Sequence, residues 1–130
     1  MSETLRCEIF PVDLDRAVDF YVRVLGFALV RDERDTESPY IYMRRGDVRV
    51  GAVPSWAPEP DAETRTPPVG VELVLEVDDL EAERERVAAA GWPVTQELTD
   101  RPWGLRDFRL VDPDGYYWRI TTSAGGGDRP

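Results

Sequence analysis

Apolar and polar residues alternate along Leu5-Arg6-Cys7-Glu8-Ile9-Phe10, and this period of two predicts a β-strand. Asp13-Leu14-Asp15 then opens a helical stretch that closes at Gly26. The same order returns later. Val71 to Val77 reads as a strand, Asp79-Leu80-Glu81 opens a second helix, and Gly91 closes it. Asp13 and Asp79 suit the N-cap, where a carboxylate accepts backbone N–H groups that the helix leaves unpaired. Gly26 and Gly91 suit the left-handed residue that follows a helix. Each helix is followed by three further strand signals. In the first half these are residues 27–31, 40–43 and 48–53, with a turn at Arg45-Gly46-Asp47. In the second they are residues 94–98, 108–111 and 116–122, turning at Asp112-Pro113-Asp114-Gly115. Each half is therefore βαβββ, and the fold class is α+β. Module one spans residues 1–53 and module two residues 69–123. A Pro-rich linker, 54–68, joins them, and residues 124–130 form a disordered tail.

Alternation also sorts each strand into two faces. Leu73, Leu75 and Val77 belong under the helix, leaving Glu72, Val74 and Glu76 on the uncovered face. Cys7 and Ile9 are core, which leaves Arg6, Glu8 and Phe10. Ile41, Phe108, Leu110, Trp118 and Ile120 are core. Tyr40, Tyr42, Arg109, Val111, Tyr117, Arg119 and Thr121 then face away from the helices. The mixed charges on the two helices read as solvated faces. Arg106 and Asp107 read as structural. Trp103 in its Pro-Trp-Gly loop and Trp56 in the linker suit cavity lips, where an indole offers a flat surface for stacking.

The chain has 130 residues, enough for one domain, and a net charge of −10. That charge argues against nucleic-acid binding. There is no apolar run of membrane-spanning length and no leader pattern, and the single Cys7 allows no internal disulfide; the cytoplasm is the expected compartment. Histidine is absent, so neither a Ser-His nor a Cys-His pair can form. Cys7, expected in the core, would be inert. A carboxylate among Glu8, Glu72 and Glu76 could still serve as an acid or base.

The run Pro102-Trp103-Gly104-Leu105-Arg106-Asp107-Phe108, followed by Asp112-Pro113-Asp114-Gly115 and the last strand, resembles the C-terminal hairpin of the glyoxalase/bleomycin-resistance/extradiol-dioxygenase (vicinal oxygen chelate) superfamily. The resemblance covers residues 5 to 122. It implies that the two modules form a half-barrel around a cleft. Metalloenzymes of that superfamily bind metal at positions that correspond here to Arg6, Val50, Glu72 and Arg119, and only Glu72 is a plausible ligand. No metal and no cofactor are expected. Arg6, Glu72 and Arg119 would instead form a charge cluster that holds the fold together or bonds a polar ligand group.

The resemblance is nearest to the antibiotic-binding branch. It implies a homodimer with an exchanged first strand that sequesters a large aromatic natural product, unchanged, at the subunit interface. Bleomycin, mitomycin and anthraquinone-enediyne types are the candidates, and arginines on the face suit an oxygen-rich neutral or anionic ligand. The expected ligand residues are Arg6, Glu8, Phe10, Tyr40, Tyr42, Trp56, Glu72, Trp103, Arg109, Tyr117 and Arg119. A metal-independent isomerase or cyclase using a cleft carboxylate is the alternative, and a domain without a small ligand is a third.

Overall fold

A computed structural model describes residues 3–54 and 68–123. Trp56, most of the linker and the tail lie outside the described residues. The chain divides into two compact units, residues 1–66 and 67–130.

The first unit runs β1 (Cys7–Ile9), α1 (Leu14–Asp19), a π-helical segment (Phe20–Val24), β2 (Ala28–Asp32), β3 (Ile41–Arg45) and β4 (Val48–Ala52). Its sheet has the order β1-β4-β3-β2. β1 lies parallel to β4, and the other pairs are antiparallel. The second unit runs β5 (Leu73–Val77), α2 (Leu80–Ala89), β6 (Gln96–Asp100), β7 (Arg106–Val111) and β8 (Tyr117–Thr122). Its sheet repeats the arrangement as β5-β8-β7-β6, with β5 parallel to β8.

Local chemistry fixes the helix ends. The Asp13 carboxylate accepts from the Asp15 N–H at 2.9 Å, and Asp79 accepts from the Ala82 N–H at 3.0 Å. Gly26 and Gly91 both have φ of 73°. At Gly91 the closing bonds run from Trp92 N–H to Val87 C=O and from Gly91 N–H to Ala88 C=O, the paired pattern of a Schellman stop. At Gly26 each closing bond spans one residue more, from Phe27 N–H to Tyr21 C=O and from Gly26 N–H to Val22 C=O. The interval from cap to glycine is one residue longer in the first unit than in the second. The π-helical segment absorbs that residue, so the single α-helix expected there is α in its first half and π in its second.

The helix-facing core follows the alternation. Ile9, Ile41, Met43 and Val50 are buried in unit one beneath Phe20, Tyr21 and Val24. Tyr21 meets Phe20 and Phe27 edge-on, at 4.9 and 5.8 Å between ring centroids. In unit two Leu75, Phe108, Leu110, Trp118 and Ile120 pack with Leu80 and Val87. Each such buried side chain contributes roughly 1.5–3 kcal/mol. Trp92 ties the end of α2 to the sheet by donating from Nε1 to the Val111 carbonyl at 2.8 Å.

Some expectations are corrected. Cys7 and Leu73, near the ends of short edge strands, are half-buried rather than core. The charged residues of α2 are not all solvated. Glu83 is buried on the sheet-facing side, next to Leu80 and Val87 in helical spacing. Arg84 lies over the Phe108 ring at 5.9 Å and donates two hydrogen bonds to Glu97 of β6, at 2.8 and 2.6 Å.

Candidate functional site

In each unit the helix covers one sheet face, and the polar and aromatic candidates occupy the other. Strand register arranges them in rungs, because directly opposed residues share a face.

In unit one the register aligns Glu8 with Gly51, Gly51 with Tyr42, and Tyr42 with Arg31. The Glu8 carboxylate accepts from Arg6 Nε at 2.7 Å and from the Tyr40 hydroxyl at 3.2 Å. Tyr40 precedes β3, so its side chain must reach across β4 to meet Glu8. Gly51 makes that crossing possible. A Cβ there would strike the Glu8 carboxylate and the Tyr40 hydroxyl. Burial and the neighbouring Glu8 charge raise the Tyr40 hydroxyl above its ordinary value. Phe10 and the Arg6–Glu8 pair are exposed, and Tyr42 is half-buried.

In unit two the middle rung is Gln96, Arg109, Arg119 and Val74, in order across β6, β7, β8 and β5. Two guanidiniums therefore stand directly opposite each other. Glu72 bridges them, with Oε2 at 3.2 Å from Arg109 Nε and Oε1 at 3.1 Å from Arg119 Nε. One rung away, Asp107 opposes Thr121. The Asp107 side chain is 1% exposed and accepts three hydrogen bonds from Arg101, at 2.8 to 3.1 Å. That bonding raises the Arg101 pKa above its usual value. Arg101 also donates to Gln96 at 2.6 Å. On the other side, Val111 opposes half-buried Tyr117. Trp103 is half-buried in the β6–β7 loop, which is closed by Arg101 N–H to Leu105 C=O at 2.8 Å.

Within unit two, Glu72 lies between the guanidiniums of Arg109 and Arg119. Within unit one, Arg6 pairs with Glu8, two positions along the chain, where the pleat brings both to one face. Val50 does not share that face. It opposes Cys7 and is fully buried, so Gly51 is the β4 residue on the Glu8 face. Arg101 and Gln96 were missed, and Asp107, read as structural, is the carboxylate that holds Arg101. Asp107 has the same parity in β7 as Arg109, and that signal was available in the sequence. Arg101 lies outside any alternating run, and only the hairpin closure brings it to Asp107. Arg106, expected to be structural, pairs with Glu81 of α2 and with Asp100.

At the positions that the resemblance assigns to metal ligands, Arg6 and Arg119 carry guanidiniums, which do not ligate cations, and Glu72 carries a carboxylate flanked by Arg109 and Arg119. Among the described residues, no group of three or more His, Cys, Asp or Glu is arranged to hold a metal ion. Nor, among them, is any helix long and apolar enough to cross a membrane.

Residues 4–120 match the family described as Glyoxalase/Bleomycin resistance protein/Dioxygenase superfamily, and the chain belongs to it. Its α+β fold of two four-stranded sheets is that of the superfamily. A probable lactoylglutathione lyase of Vibrio cholerae is 32% identical over 111 residues, covering 80% of this chain and 78% of that protein. The crystal structure of TioX from Micromonospora sp. ML1 superposes with a TM-score of 0.71 at 29% identity, over 96% of this chain and 99% of that one. TnmS3, an antibiotic binding protein from Streptomyces sp. CB03234, superposes with a TM-score of 0.72 at 25% identity, over 95% and 98%. The chain is therefore similar both to a lyase and to an antibiotic-binding protein.

Proposed function

We propose that this protein is a metal-independent, non-catalytic binder of a large aromatic natural product, of the bleomycin, mitomycin or anthraquinone-enediyne kind. It acts by sequestration in the cytoplasm, as a homodimer. The observation that carries this reading is the chemistry of the uncovered sheet faces. They present Tyr42 and Tyr117 for stacking and Arg109 and Arg119 for polar anchoring, with Trp103 in the β6–β7 loop as a lip residue, while guanidiniums occupy two positions where metalloenzymes of the superfamily need ligands. Similarity to TnmS3 supports it. Phe10, Tyr40, Glu8 and Arg6 on the first face, and Glu72 on the second, complete the proposed contacts, with Trp56 as a further lip residue.

The test is a titration with bleomycin, a mitomycin and an anthraquinone-fused enediyne, following tryptophan fluorescence and weighing the recovered ligand by mass spectrometry. At least one should bind saturably and return unchanged, and Trp103→Ala should weaken that binding about tenfold, the loss of roughly one stacking contact. Absence of binding across the panel overturns the reading.

The lyase similarity favours a second reading, an enzyme of the same superfamily working without metal through a face carboxylate. Both oxygens of Glu72 are engaged by guanidiniums, and Glu8 already accepts from Arg6 and Tyr40. Neither arrangement suits proton abstraction from a substrate. Lactoylglutathione formation by the purified protein, lost in Glu72→Gln or Glu8→Gln, would establish this second reading instead.

A further inference from the structure

The hydrogen-bonding of the arginine rung in unit two is incomplete. Arg109 Nε and Arg119 Nε are shielded from solvent and near the Glu72 oxygens, yet neither makes a hydrogen bond. The Glu72 carboxylate lies off the line of both N–H groups, so these contacts are coulombic. The outer nitrogens are no better served. Arg109 Nη2 and Arg119 Nη1 lie 3.9 and 4.0 Å from one Asp107 oxygen, beyond hydrogen-bond length. Asp107 is already committed to Arg101 by three bonds. Two guanidiniums, each side chain only 19% exposed, therefore stand side by side with donor capacity that the described residues do not use. A partly desolvated cation in this state favours an incoming acceptor.

Charge points the same way. Among the described residues, the carboxylates paired with Arg101, Arg109 and Arg119 are those of Glu72 and Asp107, three cations against two anions. Glu76 shares the face but is exposed and opposes Thr121, one rung further along. This local excess of positive charge sits on a chain of net charge −10. The general acidity of the surface does not produce it; the rung concentrates it.

We infer that Arg109 and Arg119 form a seat for an anionic oxygen group conjugated to an aromatic ring, a carboxylate or a phenolate. Its oxygens accept from the outer N–H groups of the two guanidiniums. Tyr117, two positions from Arg119 on the same strand face, takes the ring. Glu72 lies beside both arginines and competes with the ligand for their positive charge. This rests on the reading of the protein as an aromatic binder and adds which chemical class the second face selects.

The test compares anthraquinone-2-carboxylate with anthraquinone-2-carboxamide, two probes of one shape and different charge, by calorimetry at low salt. The carboxylate should bind at least tenfold more tightly. Arg119→Gln should erase that preference. Glu72→Gln separates a ligand role from a purely structural one. It removes the competing carboxylate and should tighten carboxylate binding severalfold, whereas a structural cluster would lose binding in both variants. Glu76→Gln, one rung away, should change neither. Equal affinity for the two probes, with Arg119→Gln without effect, overturns the anion seat and leaves aromatic binding standing. Failure of both probes, together with failure of the antibiotic panel, overturns the binding reading and the seat with it.

Discussion

Asp107 shows how much one side chain can hold. It is buried, carries three hydrogen bonds from Arg101, and lies about 4 Å from an outer nitrogen of each of Arg109 and Arg119. Asp107→Asn should destabilise the protein by about 3 kcal/mol, the lower end for removing one partner of a buried ion pair, because Arg101 keeps some contact with water. Urea unfolding checks this. Gly51 makes a contrasting case. Its added Cβ in Gly51→Ala would meet the mobile ends of Glu8 and Tyr40 rather than backbone. Stability should change by less than about 1 kcal/mol, but the Glu8–Tyr40 pair must separate. Part of what raises Tyr40 above its ordinary 10.0 is then lost, and an ultraviolet pH titration should show its hydroxyl ionising at lower pH than in the parent. At this scale the sequence was readable where strict alternation held, as for Arg109, Tyr117 and Arg119. It was not readable for the partner of Glu72, because pairing across strands depends on register, and a slip of one residue exchanges Val50 for Gly51.

The elements were the most legible level, since caps, glycine stops and strand periods are local signals. Their main failure, the π-helical segment, comes from a local insertion with a tertiary cause. Phe20, Tyr21 and Val24 stay buried and Gly26 still closes the helix, so the extra residue is accommodated by widening one turn. Deleting exposed Val22 should convert the segment to regular α-helix with little loss of thermal stability, and loss of the folded state would contradict that account. The link between α2 and β6 gives a pH signature. Arg84 donates to Glu97 and holds its carboxyl below the ordinary 4.5. A depressed folded value means the stabilisation is present above pH 4.5 and disappears as pH falls through the folded value. Glu97→Gln lacks it at every pH. The difference in Tm between parent and variant should be largest near neutrality and shrink as pH falls below the ordinary carboxylate range.

At the scale of the molecule, a net charge of −10 opposes compaction, while most of the ion pairs are exposed and individually weak. Raising salt to about 0.5 M should therefore raise Tm, because screened self-repulsion outweighs the weakened surface pairs. The same field slows the approach of an anionic ligand, so the association rate of anthraquinone-2-carboxylate should increase with ionic strength. Composition announced this global charge but could not show its local reversal at the arginine rung, which exists only once β7 and β8 are in register. The rung also constrains how the protein can change over generations. Glu72, Arg101, Asp107, Arg109 and Arg119 share their counter-charges, and a single replacement leaves a desolvated neighbour without its balance. Tolerated variation at these positions should arrive as coupled, charge-compensating exchanges, visible as correlated substitution of 101 with 107 and of 72 with 109 or 119.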